Sequence, residues 1–450
     1  MAAFSVDGRR VVVVGAARSG VAAATLLARR GARVTLTESR ASIDAADELR
    51  RAGVELELGG HRGDTVAGAE LVVVSPGVPL DQPVFDEARR GGVEIIGEIE
   101  LAWRWIQGRV IAITGTKGKS TTTTLIGRML EAGGHTVQVS GNIGVPLSTR
   151  VDTETPDTLH VVEVSSFQLE TTTTFRPWIA VWLNLSDDHL DRHPSLAAYA
   201  AAKAKVFANQ TGDDWAVVNA DDAAGLVAAS NGRGRVVSFS LAGTARANYV
   251  VDGDWVARRT TTGMEHLFAA STIELSGRHM LTNVLAAAAA SSVAGVSPAA
   301  MVGGLRGFTG LEHVMEPAGM VRGVRFVNDS KATNVEAAMR SIESFDRVVP
   351  IIGGRFKGGD LRALRAPVAA HARAVVAIGE AAPDVAAALA GTVPVHEAGS
   401  MRGAVEAAHR AAEPDGVVLL APACASFDMF SDYAARGRAF KEEVERLGRL

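Results

Sequence analysis

The chain has few of the residues that tie a protein to an oxidising environment, a membrane or a nucleic acid. Its 450 residues include a single cysteine, Cys424, which excludes an intrachain disulfide and suits a reducing compartment. No stretch approaches the roughly 18 uninterrupted apolar residues of a membrane helix, and residues 1–30 lack the basic start and apolar run of a signal peptide. The net charge of −4 argues against a nucleic-acid partner held by charge. We therefore expect a cytoplasmic protein without membrane insertion.

What the chain does contain is enough apolar sequence, 47% of its residues, for several cores. At roughly 150 residues per domain, its length predicts about three domains. Continuous apolar strands between helices indicate parallel sheets covered on both faces. We predict an α/β protein with an N-terminal Rossmann-like domain (1–107), a central P-loop ATPase-like domain with a mostly parallel sheet (108–310) and a C-terminal Rossmann-like domain (311–450).

One stretch has the layout of a phosphate-binding loop. The apolar run 110–113 leads into Thr114-Gly-Thr-Lys-Gly-Lys-Ser-Thr121, which opens into a helix. Glycines let several N–H groups turn toward one anion, and the helix start adds its unpaired donors and its dipole. The residues predicted to bind phosphate are Gly115, Thr116, Lys117, Gly118, Lys119, Ser120 and Thr121. Lys119 is expected to reach the outer phosphates, and Ser120 or Thr121 to hold Mg²⁺.

The loop is a variant of the general motif. That motif has a glycine five residues before its Gly-Lys pair, and Ile113 stands at that position here. The alternative is an ordinary strand-to-helix turn rich in glycine and threonine. A Gly-Lys-Ser-Thr run directly after a buried strand favours the phosphate loop.

The first strand-to-helix turn, residues 15–20, resembles a dinucleotide fingerprint. Glu38 lies near the position expected to bind a ribose. However, Ala17 replaces the second glycine, which normally lets a pyrophosphate approach the backbone. This disfavours NAD and leaves two alternatives, another nucleotide diphosphate or a turn that binds nothing.

Two further sets of polar residues follow apolar strands. Glu163 and His189 would lie at the same edge of the sheet as the loop, where they would reach a Mg²⁺ ion. A helix cap and a core histidine are the alternatives, but the acidic residues around His189 suit a cation. The run 326–334 ends a strand in a dense cluster of donors and acceptors, for which a helix cap at Ser330 or Thr333 is the alternative.

Together these motifs resemble the Mur ligase family, ATP-dependent enzymes that join amino acids to peptidoglycan precursors. The matching runs are Gly115–Thr121, Glu163–Glu170, Asn184–Arg192 and Asn328–Asn334. The resemblance covers essentially the full length. Three runs, 165–170, 329–334 and 421–426, point within the family to the addition of D-glutamate to UDP-N-acetylmuramoyl-L-alanine. The resemblance to this family implies a monomer that uses ATP and Mg²⁺.

The resemblance also implies residue roles. Lys119, Glu163, His189 and Lys203 would be catalytic, with Glu163 and His189 as ligands of a second Mg²⁺. Lys203 stands where the family has a carbamylated lysine, an anion able to hold Mg²⁺; without the resemblance it would be a solvated helix lysine. The UDP-sugar would contact Arg18, Ser19, Ser39, Arg40, Ser75, Asn142 and His189. The nucleotide would contact Asn283, Asp329 and Lys331. The D-glutamate pocket would contain Thr333, Lys357, Ser426 and Phe427, with Tyr433 where an aromatic residue is expected.

The chain departs from the family at two positions. After Phe308-Thr-Gly-Leu311 the family has Pro-His-Arg, whereas Val314 stands here in place of an arginine expected near the ATP phosphates; Arg322 and Arg325 are candidate substitutes. Lys117 replaces a common asparagine. The alternative functions are another ligase of the family (muramate–alanine, diaminopimelate/lysine or folylpolyglutamate type) and a nucleotide-binding module that does not ligate.

Overall fold

The computed structural model describes residues 4–188, 192–275, 278–356 and 358–449, and of Arg278 and His279 only the backbone. Two predicted site residues, His189 and Lys357, lie outside these ranges. The described chain contains three sheets with helices between their strands, so the predicted α/β class is confirmed. None of the helices in these ranges is both long and apolar enough to cross a bilayer.

The first sheet is parallel, with described strands in the order β3-β2-β1-β4-β5. Buried valines 11–14 of β1 contribute to a core on each side of the sheet, because helices cover both faces. The strands are β1 Arg10–Val14, β2 Arg33–Glu38, β3 Glu55–Leu58, β4 Leu71–Val74 and β5 Glu94–Gly97. The helices are α1 Arg18–Arg29, α2 Ala46–Arg51, α3 Gly63–Ala67, α4 Asp86–Arg90 and α5 Glu98–Trp103.

The second sheet has the described order β14-β13-β12-β11-β10-β9-β6-β8-β7, parallel from β7 to β12 and antiparallel beyond it. The strands are β6 Arg109–Thr114, β7 Val137–Gly141, β8 Leu159–Glu163, β9 Ile179–Trp182, β10 Trp215–Asn219, β11 Arg235–Ser240, β12 Tyr249–Asp252, β13 Trp255–Thr260 and β14 Gly263–Ala269. The helices are α6 Lys119–Ala132, α7 Ser166–Glu170, α8 Leu196–Ala204, α9 Ala223–Ser230, α10 Arg278–Val293 and α11 Pro298–Leu305. The buried alanines 286–290 let α10 pack closely against α6.

The third sheet has the described order β15-β16-β20-β17-β18-β19, with only β15 antiparallel to its neighbour. Its strands are β15 Glu316–Val321, β16 Val324–Asn328, β17 Val348–Gly353, β18 Val375–Ile378, β19 Val395–Ala398 and β20 Val417–Ala423. Its helices are α12 Val335–Glu343, α13 Arg365–His371, α14 Ala382–Leu389, α15 Met401–Ala412 and α16 Tyr433–Gly448. Separate apolar cores lie on its two faces.

The described chain divides into two compact units. The first contains the first two sheets and ends at Phe308; the second begins at Thr309, contains the third sheet and also includes Leu275. Within the first unit, two buried carboxylates of α5 join the two sheets. Glu100 accepts the N–H groups of residues 173–175 at 3.0–3.1 Å, and Glu98 accepts the N–H of Ser148 at 2.6 Å. Burial raises the pKa of Glu98. The predicted domain boundaries at 107 and 310 stay predictions.

Candidate active site

The phosphate loop connects the end of β6, at Thr114, to the start of α6, at Lys119. Gly118 just before the helix has φ of 81°, a conformation that favours glycine. A Cβ atom at this position would lie 2.2 Å from Oδ1 of Asn283 on α10. The structure therefore brings Asn283, a predicted nucleotide residue, directly against the loop. Ser120 and Thr121 lie in the first turn of α6 beside Lys119.

Asn184, which follows β9, fixes the shape of the loop. Its Oδ1 accepts the N–H groups of Thr116 at 3.1 Å and of Lys117 at 2.8 Å, and its Nδ2 donates to the Lys117 carbonyl at 3.1 Å. Sequence reasoning quoted this residue as part of a motif without giving it a role. The available signal was an amide side chain at the end of a strand that neighbours β6.

Two lysines converge on the same carbonyl of the loop. Lys119 Nζ donates to the Gly115 carbonyl at 3.0 Å and to the Thr116 carbonyl at 2.9 Å, and Lys203 Nζ donates to the Gly115 carbonyl at 2.8 Å. The Lys203 side chain comes from α8 and is only 1% exposed. Burial, helped by the positive charge of Lys119, lowers the pKa of Lys203 to about 6, although Asp188 and Glu163 act in the opposite direction. Much of this amine is therefore uncharged at neutral pH.

Glu163 ends β8 close enough to Lys203 to influence its charge. The carboxylate is 2% exposed, and its Oε1 accepts from Asn142 Nδ2 at 2.8 Å. Its Oε2 is buried and has no hydrogen-bond partner among the described residues. A buried carboxylate oxygen in this state is costly unless a cation approaches it, and oxygen is the ligand that Mg²⁺ prefers. The residues present therefore fit a metal ion.

The rest of the predicted metal set is only partly described. His189 lies outside the described ranges. Within the described ranges, no group of three or more histidine, cysteine, aspartate or glutamate side chains could hold a metal ion. The metal site therefore stays a prediction that rests on Glu163 and the loop.

Five of the predicted UDP-sugar residues lie around the carboxyl ends of β1, β2 and β4, whereas Asn142 follows β7 of the second sheet. Arg18 donates to the Gly144 carbonyl at 2.8 Å, so it links this sheet to the second one. Ser75 is buried and donates to the Gly15 carbonyl at 2.9 Å. Ser39 and Arg40 both contact the carboxylate of Glu38. Ser19 is half-buried on the first turn of α1.

Glu38 is held by the first turn itself. Its Oε2 accepts the Ala16 N–H at 2.8 Å, and its Oε1 accepts the Ser39 hydroxyl at 2.9 Å. Burial alone would raise the pKa of this carboxyl, but the Arg40 guanidinium and the hydrogen bonds outweigh it and lower the pKa to about 2. The carboxylate thus stays charged and bound to the loop at any working pH.

In the second unit, Asp329 follows β16 and is buried. Its Oδ1 accepts the Met315 N–H at 3.1 Å, and its Oδ2 accepts the Ser341 hydroxyl. Burial raises the pKa of Asp329 against these hydrogen bonds and the charge of Lys331. The side chain of Asn334 caps α12 by accepting the Ala337 N–H at 2.8 Å. The alternative of a cap at Ser330 or Thr333 is therefore wrong.

A buried arginine that sequence reasoning missed organises this end of the third sheet. Arg436 on α16 donates to the Ser330 carbonyl at 2.9 Å, the Ser330 hydroxyl at 3.0 Å and the Cys424 carbonyl at 3.1 Å. Burial lowers its pKa to about 10, so the group stays charged at neutral pH. It ties together the segments that follow β16 and β20. Of the predicted pocket residues there, Ser426 is buried, whereas Phe427 is 63% exposed and Tyr433 is also exposed.

The two candidate substitutes for the missing arginine lie at the end of β16 that is remote from Asp329. Arg322 lies in the turn between β15 and β16, and Arg325 follows at the start of β16, whereas Asp329 follows its other end. The suggestion that Arg322 or Arg325 replaces the missing arginine near the ATP phosphates stays a prediction.

The lowered pKa of Lys203 can be tested through the pH dependence of the free energy of unfolding. With a pKa of about 6 in the folded chain and 10.5 as its ordinary value, the unfolded chain binds more protons between these pH values. The contribution of Lys203 to the free energy of unfolding therefore becomes more favourable as the pH rises through this window. In CO₂-free buffer, we expect Lys203→Met to flatten this pH dependence in denaturant titrations.

Lys205→Met is the matched control, because Lys205 lies two residues further along and its Nζ donates to the Glu170 carbonyl at 2.6 Å, away from the loop. This variant is expected to keep the slope of the parent protein. An unchanged slope in Lys203→Met would contradict a lowered pKa.

Three parts of the chain match known protein families. Three family models match: the Mur ligase MurD-like N-terminal domain over residues 9–97, the Mur ligase middle domain over 113–291, and the Mur ligase glutamate ligase domain over 315–424. A solved UDP-N-acetylmuramate-alanine ligase from Thermotoga maritima shares the fold, with a TM-score of 0.60 over 97% of this chain and 99% of that chain at 18% identity.

Two relatives bear the name UDP-N-acetylmuramoylalanine–D-glutamate ligase. The protein of Acidobacterium capsulatum is 46% identical over 98% of this chain and 97% of its own length. The protein of Koribacter versatilis is 42% identical over 99% of both chains. Identity at this level along the whole chain establishes common descent, and the resemblance predicted from the motifs is confirmed. The chain therefore belongs to the Mur ligase family.

Proposed function

We propose that this chain is an ATP-dependent ligase that adds D-glutamate to UDP-N-acetylmuramoyl-L-alanine in the cytoplasmic synthesis of peptidoglycan precursors. The proposal is supported by two relatives that bear this enzyme's name and are 46% and 42% identical to the chain over nearly their whole lengths. The observation in the structure that carries the proposal is the amine of Lys203, which is 1% exposed and donates to the Gly115 carbonyl of the phosphate loop at 2.8 Å. The predicted monomeric state belongs to the proposal.

The proposed reaction passes through an acyl phosphate. ATP phosphorylates the terminal carboxylate of the substrate, and the amine of D-glutamate then attacks the acyl carbon and releases phosphate. Transfer of a phosphoryl group is mainly a matter of position and charge. Lys119 is suited to this task because its Nζ lies at the loop, where it donates to the Gly115 and Thr116 carbonyls at 2.9–3.0 Å.

Lys203 is proposed to become a carbamate. The lone pair of its neutral amine forms a C–N bond with the carbon of CO₂, and one proton leaves to water. An ammonium group has no acceptor and cannot coordinate a metal, whereas the carbamate offers oxygen atoms. These oxygens, Glu163 Oε2 and His189 would hold a second Mg²⁺, and Ser120 or Thr121 the first. Bound Mg²⁺ would supply positive charge for the transferred phosphoryl group.

The test is ADP release by the full chain with UDP-N-acetylmuramoyl-L-alanine and a panel of amino acids. We expect D-glutamate to stimulate release and L-glutamate to fail, because a buried pocket that binds two carboxylates at fixed angles leaves a group unpaired with the mirror image. Reactions without the UDP-sugar are the control. Stimulation by L-alanine or diaminopimelate instead would indicate another ligase of the family. No ADP with any substrate would indicate a nucleotide-binding module.

A further inference from the structure

A column of side chains in ring contact lies against the Lys203 amine. Lys203 Nζ sits 4.4 Å from the centre of the Tyr199 ring, and this ring lies 5.0 Å from that of His193. His193 stacks in turn on Phe167, with ring centres 5.2 Å apart and planes 11° from parallel. The guanidinium of Arg192 closes the column, 4.7 Å from the Phe167 ring. The surroundings of the amine thus depend on where the Tyr199 ring is held.

His193 is held in this column by contacts at both of its ring nitrogens. The ring is 2% exposed, with Nε2 2.9 Å from the Ser166 hydroxyl and Nδ1 3.2 Å from a carboxylate oxygen of Glu170. The first contact is a hydrogen bond whose direction depends on the tautomer of the ring, and the second is an ion-pair contact. Rotation of the ring would break both.

Two short helices explain why these groups meet. Ser165 caps α7 in a capping box with Gln168, so α7 is well defined despite its five residues. Ser166 and Glu170 are four residues apart on α7 and therefore lie on one face. Tyr199 and Lys203 have the same spacing on α8. His193 lies just before α8 and fills the space between the two faces.

We propose that Ser166, His193 and Glu170 form a positioning unit that holds the Tyr199 ring against Lys203 and so keeps the amine in the place and the dry surroundings that carbamylation needs. This inference rests on the proposed carbamate of Lys203. The Tyr199 hydroxyl lies 3.4 Å from the Thr116 hydroxyl, so the same ring also borders the phosphate loop. Movement of the ring would remove this packing and admit water to the amine.

The order of contacts, serine to histidine to carboxylate, also matches a nucleophilic triad. The burial of Ser166 excludes that role in this structure. Ser166 is only 1% exposed, so its hydroxyl cannot reach a substrate carbonyl. The unit acts through its neighbours, which makes His193 a positioning residue.

The experiment compares carbamate formation in full-length variants. The protein is equilibrated with ¹³C-bicarbonate, the carbamate carbon is measured by NMR, and ADP release is measured against bicarbonate concentration at fixed pH. In His193→Ala we expect the half-saturating bicarbonate concentration to rise about tenfold, which corresponds to ~1.4 kcal/mol, a value typical of one buried hydrogen bond or aromatic pair. Saturating bicarbonate should restore kcat toward that of the parent protein.

His266→Ala is the matched control. His266 also stacks on an aromatic ring, that of Trp255, and also contacts a carboxylate, that of Asp252. It lies on the antiparallel strands β12–β14. The bicarbonate requirement of this variant should not change. Ser166→Ala removes one hydroxyl and serves if His193→Ala does not fold; a several-fold rise is expected. A folded variant whose half-saturating bicarbonate concentration is unchanged would contradict the positioning unit but not the carbamate. The same holds for a variant whose lost kcat is not restored by bicarbonate. A parent protein without a carbamate signal would contradict both this inference and the proposed chemistry of Lys203.

Discussion

Replacing Lys119 by alanine is expected to lower ATP turnover by on the order of 10²-fold or more while the fold stays intact. The reason is the position of this side chain at the start of α6, on the loop that the structure shapes for an anion. Removal of one oriented positive charge leaves the developing charge on the transferred phosphoryl group without a partner. The measurement is kcat for ADP release, with circular dichroism to verify the fold.

Lys117→Ala is the control for this prediction. It removes the same charge from the same loop, yet the contacts with Asn184 that hold position 117 are made by its backbone. We expect a much smaller loss than in Lys119→Ala. Near-normal turnover in Lys119→Ala, or equal losses in the two variants, would refute the assignment of Lys119 to the outer phosphates.

Lys203→Ala is expected to abolish most activity, with a loss on the order of 10²-fold or more, because the carbamate would be one of few anions available to the second Mg²⁺. A small carboxylate such as formate or acetate added to this variant is expected to restore part of the rate, since it can occupy the space of the missing group. The measurement is ADP release against carboxylate concentration.

Lys205→Ala separates this role from a general effect of losing a lysine from the same region. The Lys205 amine donates to the Glu170 carbonyl rather than to the loop, so its loss should matter less. A folded Lys203→Ala protein that works normally in CO₂-free buffer without added carboxylate would show that the lysine is only structural.

Local sequence was enough to predict the phosphate loop, because its geometry depends on a few consecutive residues. The glycines, Lys119 and the helix start occupy one turn of chain, and the structure has the loop between β6 and α6 as expected. The parallel sheets were also predictable, since continuous apolar strands between helices have few alternative arrangements. Glu163 could be placed beside the loop because β6 and β8 are neighbours in one parallel sheet.

The supporting residues were not predictable, because their roles arise from contacts between distant parts of the chain. Arg436 acts on Ser330, 106 residues away, and Asn184 acts on Lys117, 67 residues away. Neither lies in a pattern with a local meaning. His193 likewise gains its role only when α7 and α8 pack together. The cap of α12 was assigned to the wrong residue for a simpler reason. Several adjacent residues were suitable caps, and the structure has Asn334 in that role.

The close approach of Gly118 and Asn283 has a consequence for mutational tolerance. Asparagine and aspartate usually accept a left-handed backbone, so backbone strain alone would permit them at position 118. A Cβ atom there would lie 2.2 Å from Asn283 Oδ1, and therefore even these residues should destabilise the loop unless the Asn283 side chain shifts. Asn283→Ala makes room, and it should act as a suppressor that restores the folding of Gly118→Asn. Because Asn283 is also a predicted nucleotide residue, the suppressed protein should regain its stability without regaining its turnover.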